Sequence, residues 1–105
     1  MKFNLESIIK TITKPWTPVR LDTFDDKALW IAMFHGEYHE HSHEYDEFFL
    51  VYRGAITIWT EKGSIELKEG EGYTVPKGVK HKPSANIPSY VLMVDAEASS
   101  TAKQA

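Results

Sequence analysis

The sequence predicts an all-β fold, a small antiparallel sandwich or barrel. Short apolar and aromatic runs lean toward a period of two residues, the pattern of strands with one buried face. Turn residues cut these runs at close intervals, at Arg53-Gly54, Lys62-Gly63, Gly70-Glu71-Gly72 and Pro76-Lys77-Gly78. No long helical stretch separates the runs, which argues against a parallel α/β sheet.

The elements follow in order. Asn4 is placed to cap a short helix whose apolar face is Leu5, Ile8, Ile9 and Ile12. Pro15 and Pro18 end that helix and open an extended segment. Strands are expected at Val19-Arg20-Leu21, from Ala28 to Phe34, from Phe48 to Tyr52, at Ala55 to Trp59 and at Ser64 to Leu67. Tyr73-Thr74-Val75 and Tyr90 to Val94 complete the set. Gly54, Gly63, Gly72 and Gly78 read as turn glycines with positive φ. Residues 96–105 turn to Ala, Ser, Thr, Lys and Gln, the composition of a flexible tail.

At 105 residues the chain is expected to be one domain, 1–105. A formal net charge of −3 gives no electrostatic drive toward nucleic acid or anionic lipid. No apolar run is long enough for a transmembrane helix, and Met1 to Glu6 lacks the apolar stretch of a signal peptide. A cytoplasmic protein with no nucleic-acid or membrane partner is the expectation. With no cysteine, any metal must be held by nitrogen and oxygen.

Histidine is concentrated. The stretch from His35 to Glu47 holds four of the five, together with Glu37, Glu40, Glu44, Asp46 and Glu47. Residues two apart on a strand share a face, so His41 and His43 can present two imidazoles to one point. Glu47 can add a carboxylate, and a Pro-Lys-Gly turn can return His81 to the same place. Three imidazoles and a carboxylate suit Mn, Fe, Co, Ni, Cu or Zn. His39 and His41 with Asp46 form a competing register, which leaves Gly54 one residue out of place. His35 and His39 read as surface residues. A His-rich tract can also be a solvated loop.

The spacing resembles that of the cupin superfamily, in its small single-domain form. His41-Ser42-His43, three residues, Glu47, six residues, Gly54 is similar to the first cupin motif. Gly70, five residues, Pro76, one residue, Gly78, two residues, His81 is similar to the second. The motifs occupy about 36–54 and 70–86. Two edges depart: four residues, not five, separate Gly36 from His41, and Ala85 stands where the second motif ends in asparagine.

The resemblance implies a jelly-roll β-barrel, the cupin double-stranded β-helix, with one divalent transition metal held by His41, His43, Glu47 and His81. It implies a small organic substrate or ligand and a homodimer. Strand parity agrees with a dimer, because Phe48, Leu50 and Tyr52 would form an apolar outer face opposite Glu47, Phe49 and Val51. Cupin chemistries include oxygenation, isomerisation, lyase reactions and decarboxylation, and some cupins only bind a ligand. An isomerase or lyase needs a base beside the metal, for which Tyr38, Tyr73, Lys80 and His39 are candidates. None stands out, which favours direct metal chemistry of the oxygenase kind.

Overall fold

The structure is a computed structural model and describes residues 2–96. The element order is α1 (Leu5–Ile9), β1 (Val19–Phe24), β2 (Lys27–Glu37), β3 (Glu47–Arg53), β4 (Ala55–Thr60), β5 (Gly63–Lys68), β6 (Gly72–Val75) and β7 (His81–Ala96). Every strand pair is antiparallel. The expected tail lies outside the described residues except for Ala96, which ends β7. Among the described residues no helix is long and apolar enough to cross a membrane.

β7 organises the barrel. Its second half lies between β2 and β3, in the order β1-β2-β7-β3-β6. Its first half stays paired with β2, at Gly36–Ala85 and Glu37–Ser84, and exchanges β3 for β4, which pairs with β5. One strand therefore serves both walls. The strand expected from Tyr90 to Val94 in fact begins at His81, and it runs through Pro83 and Pro88, residues that ordinarily interrupt a strand. The change of partner accommodates them: Pro83 sits opposite Ile58 of β4, and Pro88 falls in the register shift between the Phe34–Ser89 and Gly36–Ala85 pairs of β2 and β7.

Alternation divides the side chains between two packings. The inner one takes Ala28, Trp30, Ala32 and Phe34 from β2, Phe49 and Val51 from β3, Ile56 and Ile58 from β4, and Val91 and Met93 from β7. The outer one takes Ile31 and Met33 with Leu21 and Ile12, packed against Leu5, Ile8 and Ile9. The helix belongs to this outer packing. Asn4 caps it by accepting a hydrogen bond from Ser7 N at 3.0 Å. Glu6 accepts hydrogen bonds from Tyr52 Oη and, at 2.9 Å, from Arg53. The chain's own N-terminal segment thus takes up Tyr52, one of the three residues read as outward-facing.

Gly54, Gly63 and Gly78 have positive φ, of 94°, 129° and 81°. Gly72 is required for another reason: a Cβ there would lie 3.0 Å from both Phe48 Cζ and Phe49 O.

Candidate metal centre

Three elements converge inside the barrel. The segment between β2 and β3 carries His41 and His43, β3 opens with Glu47, and β7 opens with His81. The two histidine positions are joined through the main chain. His41 N donates to His81 O at 3.0 Å, and His81 N donates to His41 O at 2.9 Å. Farther along the loop, Gly78 N donates to His43 O at 2.8 Å. Lys77 N donates to Asp46 Oδ1 at 2.9 Å, so the two motif loops are tied on both sides of the site.

One donor atom from each of His41, His43, Glu47 and His81 lies within 4.8 Å of all the others. Glu47 Oε1 is 3.3 Å from His43 Nε2 and 3.6 Å from His81 Nε2. Glu47 and His81 are 0% and 1% exposed.

The outer ring nitrogens are occupied. His41 Nδ1 meets His39 O at 2.9 Å, and His81 Nδ1 meets Val79 O at 3.0 Å. A carbonyl only accepts, so these two Nδ1 atoms carry protons, the arrangement that leaves Nε2 of each ring as the atom able to offer a lone pair inward. His43 Nδ1 meets Tyr45 Oη at 3.0 Å, and the two rings stack with centroids 4.7 Å apart. The three Nε2 atoms are buried without a hydrogen-bond partner. Buried polar atoms are normally satisfied, and a cation is a group that satisfies lone pairs converging in this way. The donor set fits a transition metal.

Burial lowers the pKa of the His41 imidazole to about 4. The hydrogen bond to His39 O opposes this, and the neighbouring imidazoles add to it. His41 is therefore uncharged near neutrality, the form that binds a metal.

Other sequence candidates fall elsewhere. His39 and Asp46 stand outside the four-residue group, and both are exposed. His35 is exposed, and its carbonyl accepts from Trp16 Nε1 at 3.0 Å. Glu37 pairs with Lys82 at 3.2 Å. Of the proposed bases, Lys80 is exposed, and Tyr73 packs against the core. Tyr38 lies closer, its ring 5.4 Å from that of His41.

Two neighbours of the site were not singled out from the sequence. Trp16 has a φ of 60°, and its ring lies 4.5 Å from Phe34 and 4.9 Å from Tyr38. Asp95 is a buried carboxylate at the end of β7 that accepts from Trp30 Nε1 at 3.1 Å. Extending the alternation Val91, Met93 by one inward step would have found it.

The Cupin domain family matches residues 30–95. The chain belongs to the cupin family. It is 28% identical over 94 residues to the uncharacterized protein YdbB of Bacillus subtilis (strain 168), covering 88% of this chain and 83% of that one. A cupin-2 domain containing protein from Shewanella frigidimarina NCIMB 400 superposes with a TM-score of 0.86 at 28% identity, covering 90% of this cupin and 93% of that chain. Hydroquinone 1,2-dioxygenase PnpCD, in complex with Cd2+ and 4-hydroxybenzonitrile, gives a TM-score of 0.77 at 16% identity, covering 89% and 71%. At that identity the likeness is one of fold.

Proposed function

We propose that this cupin is a metal-dependent enzyme acting on a small organic molecule, with oxygenase-like chemistry ahead of isomerase or lyase chemistry. The observation that carries the reading is the convergence of three buried, unpartnered Nε2 atoms on the Glu47 carboxylate. His41, His43, Glu47 and His81 are the ligands in this proposal. A bound divalent metal would supply a Lewis acid and, with iron, copper, nickel or manganese, a redox centre. The protein's own part is preparation. His39 O and Val79 O hold His41 and His81 in the tautomer that offers Nε2. Phe49, Val51 and Met93 keep the surrounding barrel apolar. Lys80 is exposed and Tyr73 packs against the core, which leaves Tyr38 and His39, whose rings lie 5.4 and 5.3 Å from that of His41, as the candidate side-chain bases. The fold shared with a dioxygenase is compatible with oxygenase-like chemistry and does not decide it.

The test begins with elemental mass spectrometry of protein made without an affinity tag. Iron, copper, nickel or manganese would direct oxygen-consumption assays with small phenols and diketones, and zinc would direct isomerase and lyase assays. A chain that holds none of these ions, even after each is added back, would sink the proposal.

A non-catalytic ligand-binding barrel is the second reading. It is favoured by a cleft of about 300 Å³ whose lining includes Ile56, Leu67, Ala85 and Ile87, with Thr57 and Ser84, and none of the four clustered residues. Small-molecule binding that persists unchanged in metal-free protein would favour it. The proposal also includes a homodimer through the outer face of β3.

A further inference from the structure

The outer face of the β4–β5 wall carries groups that the metal centre does not use. Ile56, Ile58 and Thr60 of β4 are buried, so Thr57 and Trp59 between them take the outer face. Strand register lays their neighbours out in rows. Thr57 lies opposite Glu66 of β5 and Ser84 of β7. Two residues along, about 6.6 Å away, Trp59 lies opposite Ser64 and Lys82. Lys82 is paired with Glu37 at 3.2 Å. Residues directly opposite share a face, so these side chains form one surface.

The cleft of about 300 Å³ opens at one end of this surface, and the main chain accounts for it. Ser84 is paired with Thr57, and Ser89 Oγ accepts from Ala55 N at 3.1 Å. From Thr57 to Ala55 β4 takes two steps, while from Ser84 to Ser89 β7 takes five. The surplus of β7 leaves the sheet as Asn86-Ile87-Pro88, all exposed. The cleft lies between this excursion and β4–β5. Its buried lining is apolar, from Ile56, Leu67 and Ala85, and Thr57, Ser84 and Asn86 add neutral polar groups.

Among the described residues four large apolar side chains are exposed, and two of them meet here. Ile87, 54% exposed, lines the cleft. Trp59, 37% exposed, is one outward step from Thr57. A lone exposed apolar residue is ordinary, but an indole beside hydroxyls, a carboxylate and a cleft is a specific combination. A sugar ring has a C–H face that an indole covers and a rim of hydroxyls that serine, threonine, asparagine and glutamate side chains bond. The charged residues that line the cleft, Glu66 and Lys68, are opposite in sign and give no net pull toward an anion or a cation.

We infer that this face is a binding site for a short neutral saccharide, with one sugar ring on Trp59 and the next directed along Thr57 and Ser84 into the cleft. The inference rests on the reading of that cleft as a ligand site, and the metal centre takes no part in it.

The experiment follows backbone amide NMR shifts of metal-free native protein, Trp59→Ala, Trp59→Tyr and Ser84→Ala during titration with maltose, cellobiose and, as an apolar control, cyclohexanol. Light scattering and thermal melting accompany each variant. One or both sugars are expected to give saturable shifts at Thr57, Trp59, Glu66 and Ile87 at millimolar concentration. Trp59→Ala is expected to weaken binding about tenfold, and Trp59→Tyr to recover most of that loss. Ser84→Ala is expected to cost about threefold, and it tests the placement alone if Trp59→Ala fails to fold. Cyclohexanol that binds as tightly as the sugars, or binds when they do not, overturns the saccharide and leaves the cleft a ligand site. No binding by any of the three overturns both. Sugar shifts confined to the loop from His41 to Glu47, or affinities unchanged by these substitutions, overturn the placement. So does a Trp59→Ala chain of lower mass than the native one, since the face is then an interface between copies.

Discussion

His41 and His81 form an isolated antiparallel bridge, each donating its backbone N–H to the other's carbonyl. They are forty residues apart and belong to different motifs, yet the main chain holds them in register before any side chain is considered. Their rings follow, with centroids 4.3 Å apart. The site is thus preorganised by backbone hydrogen bonds. Replacing the imidazoles removes the donor atoms without removing what joins the loops.

The first prediction comes from that separation. His41→Ala combined with His43→Ala is expected to abolish metal binding while leaving a folded barrel. The buried Nε2 atoms of these residues have no hydrogen-bond partner to lose. Metal stoichiometry should drop from about one per chain to near zero, with the far-ultraviolet circular dichroism preserved. Full occupancy in the double variant would refute the ligand set, and an unfolded variant would refute the backbone account.

Much of this site was legible because its parts are close in sequence or punctuated by strong signals. His41, His43 and Glu47 lie within seven residues, and glycines mark the turns that fix the register around them. Of the competing set only His41 belongs to the cluster; His39 and Asp46 do not, and Asp46 instead accepts from the Lys77 backbone. Long-range features were harder to read. Trp16 in the left-handed region has no local sequence signal, since aromatic residues rarely adopt it. The continuity of β7 through Pro83 and Pro88 depends on its change of partner, which no local pattern records. Nor does any local pattern pair Glu6 with Tyr52 and Arg53, because a surface contact carries no periodicity.

Acid should weaken the metal-free protein through His41. Its folded pKa, about 4, lies below the ordinary 6.5, chiefly because of burial. The unfolded chain therefore binds more protons between these values. This contribution to stability is complete above 6.5, declines as pH falls through the window, and is spent below about 4. Melting curves of metal-free native protein and His41→Gln, taken from about pH 7 to about pH 4.5, read it directly. The native chain should show the steeper fall, and parallel curves would show that His41 is not held neutral by the fold.

Gly54 is constrained in two ways. Its φ is 94°, and a Cβ there would strike Ser89 Oγ while lying 2.7 Å from Ser89 Cβ and 3.0 Å from Ser89 Cα. Ser89 cannot easily withdraw, because its hydroxyl accepts from Ala55 N at 3.1 Å. Gly70 has a φ of 82° but open space around it. Gly70→Ala should therefore cost only the backbone term, about 1 kcal/mol. Gly54→Ala should cost about 1–3 kcal/mol more, from the added clash and the disturbed β3–β4 connection. Urea unfolding of the two variants compares them, and equal losses would mean that Ser89 moves aside without penalty.

The outer face of β3 bears on assembly. Phe48 and Leu50 alternate with the inward Glu47, Phe49 and Val51 and remain only partly buried. Leu50 lies between Leu92 of β7 and Gly72 of β6, where the missing side chain leaves Phe48 close to the backbone. Apolar side chains on such a face are a common basis for a two-fold interface. Light scattering at micromolar concentration is expected to give twice the chain mass. Leu50→Arg should shift the protein to the monomer, since a charge at the centre of a self-complementary patch meets its own copy across the axis. A native monomer would remove the dimer from the proposal. A native dimer untouched by Leu50→Arg would move its interface away from β3.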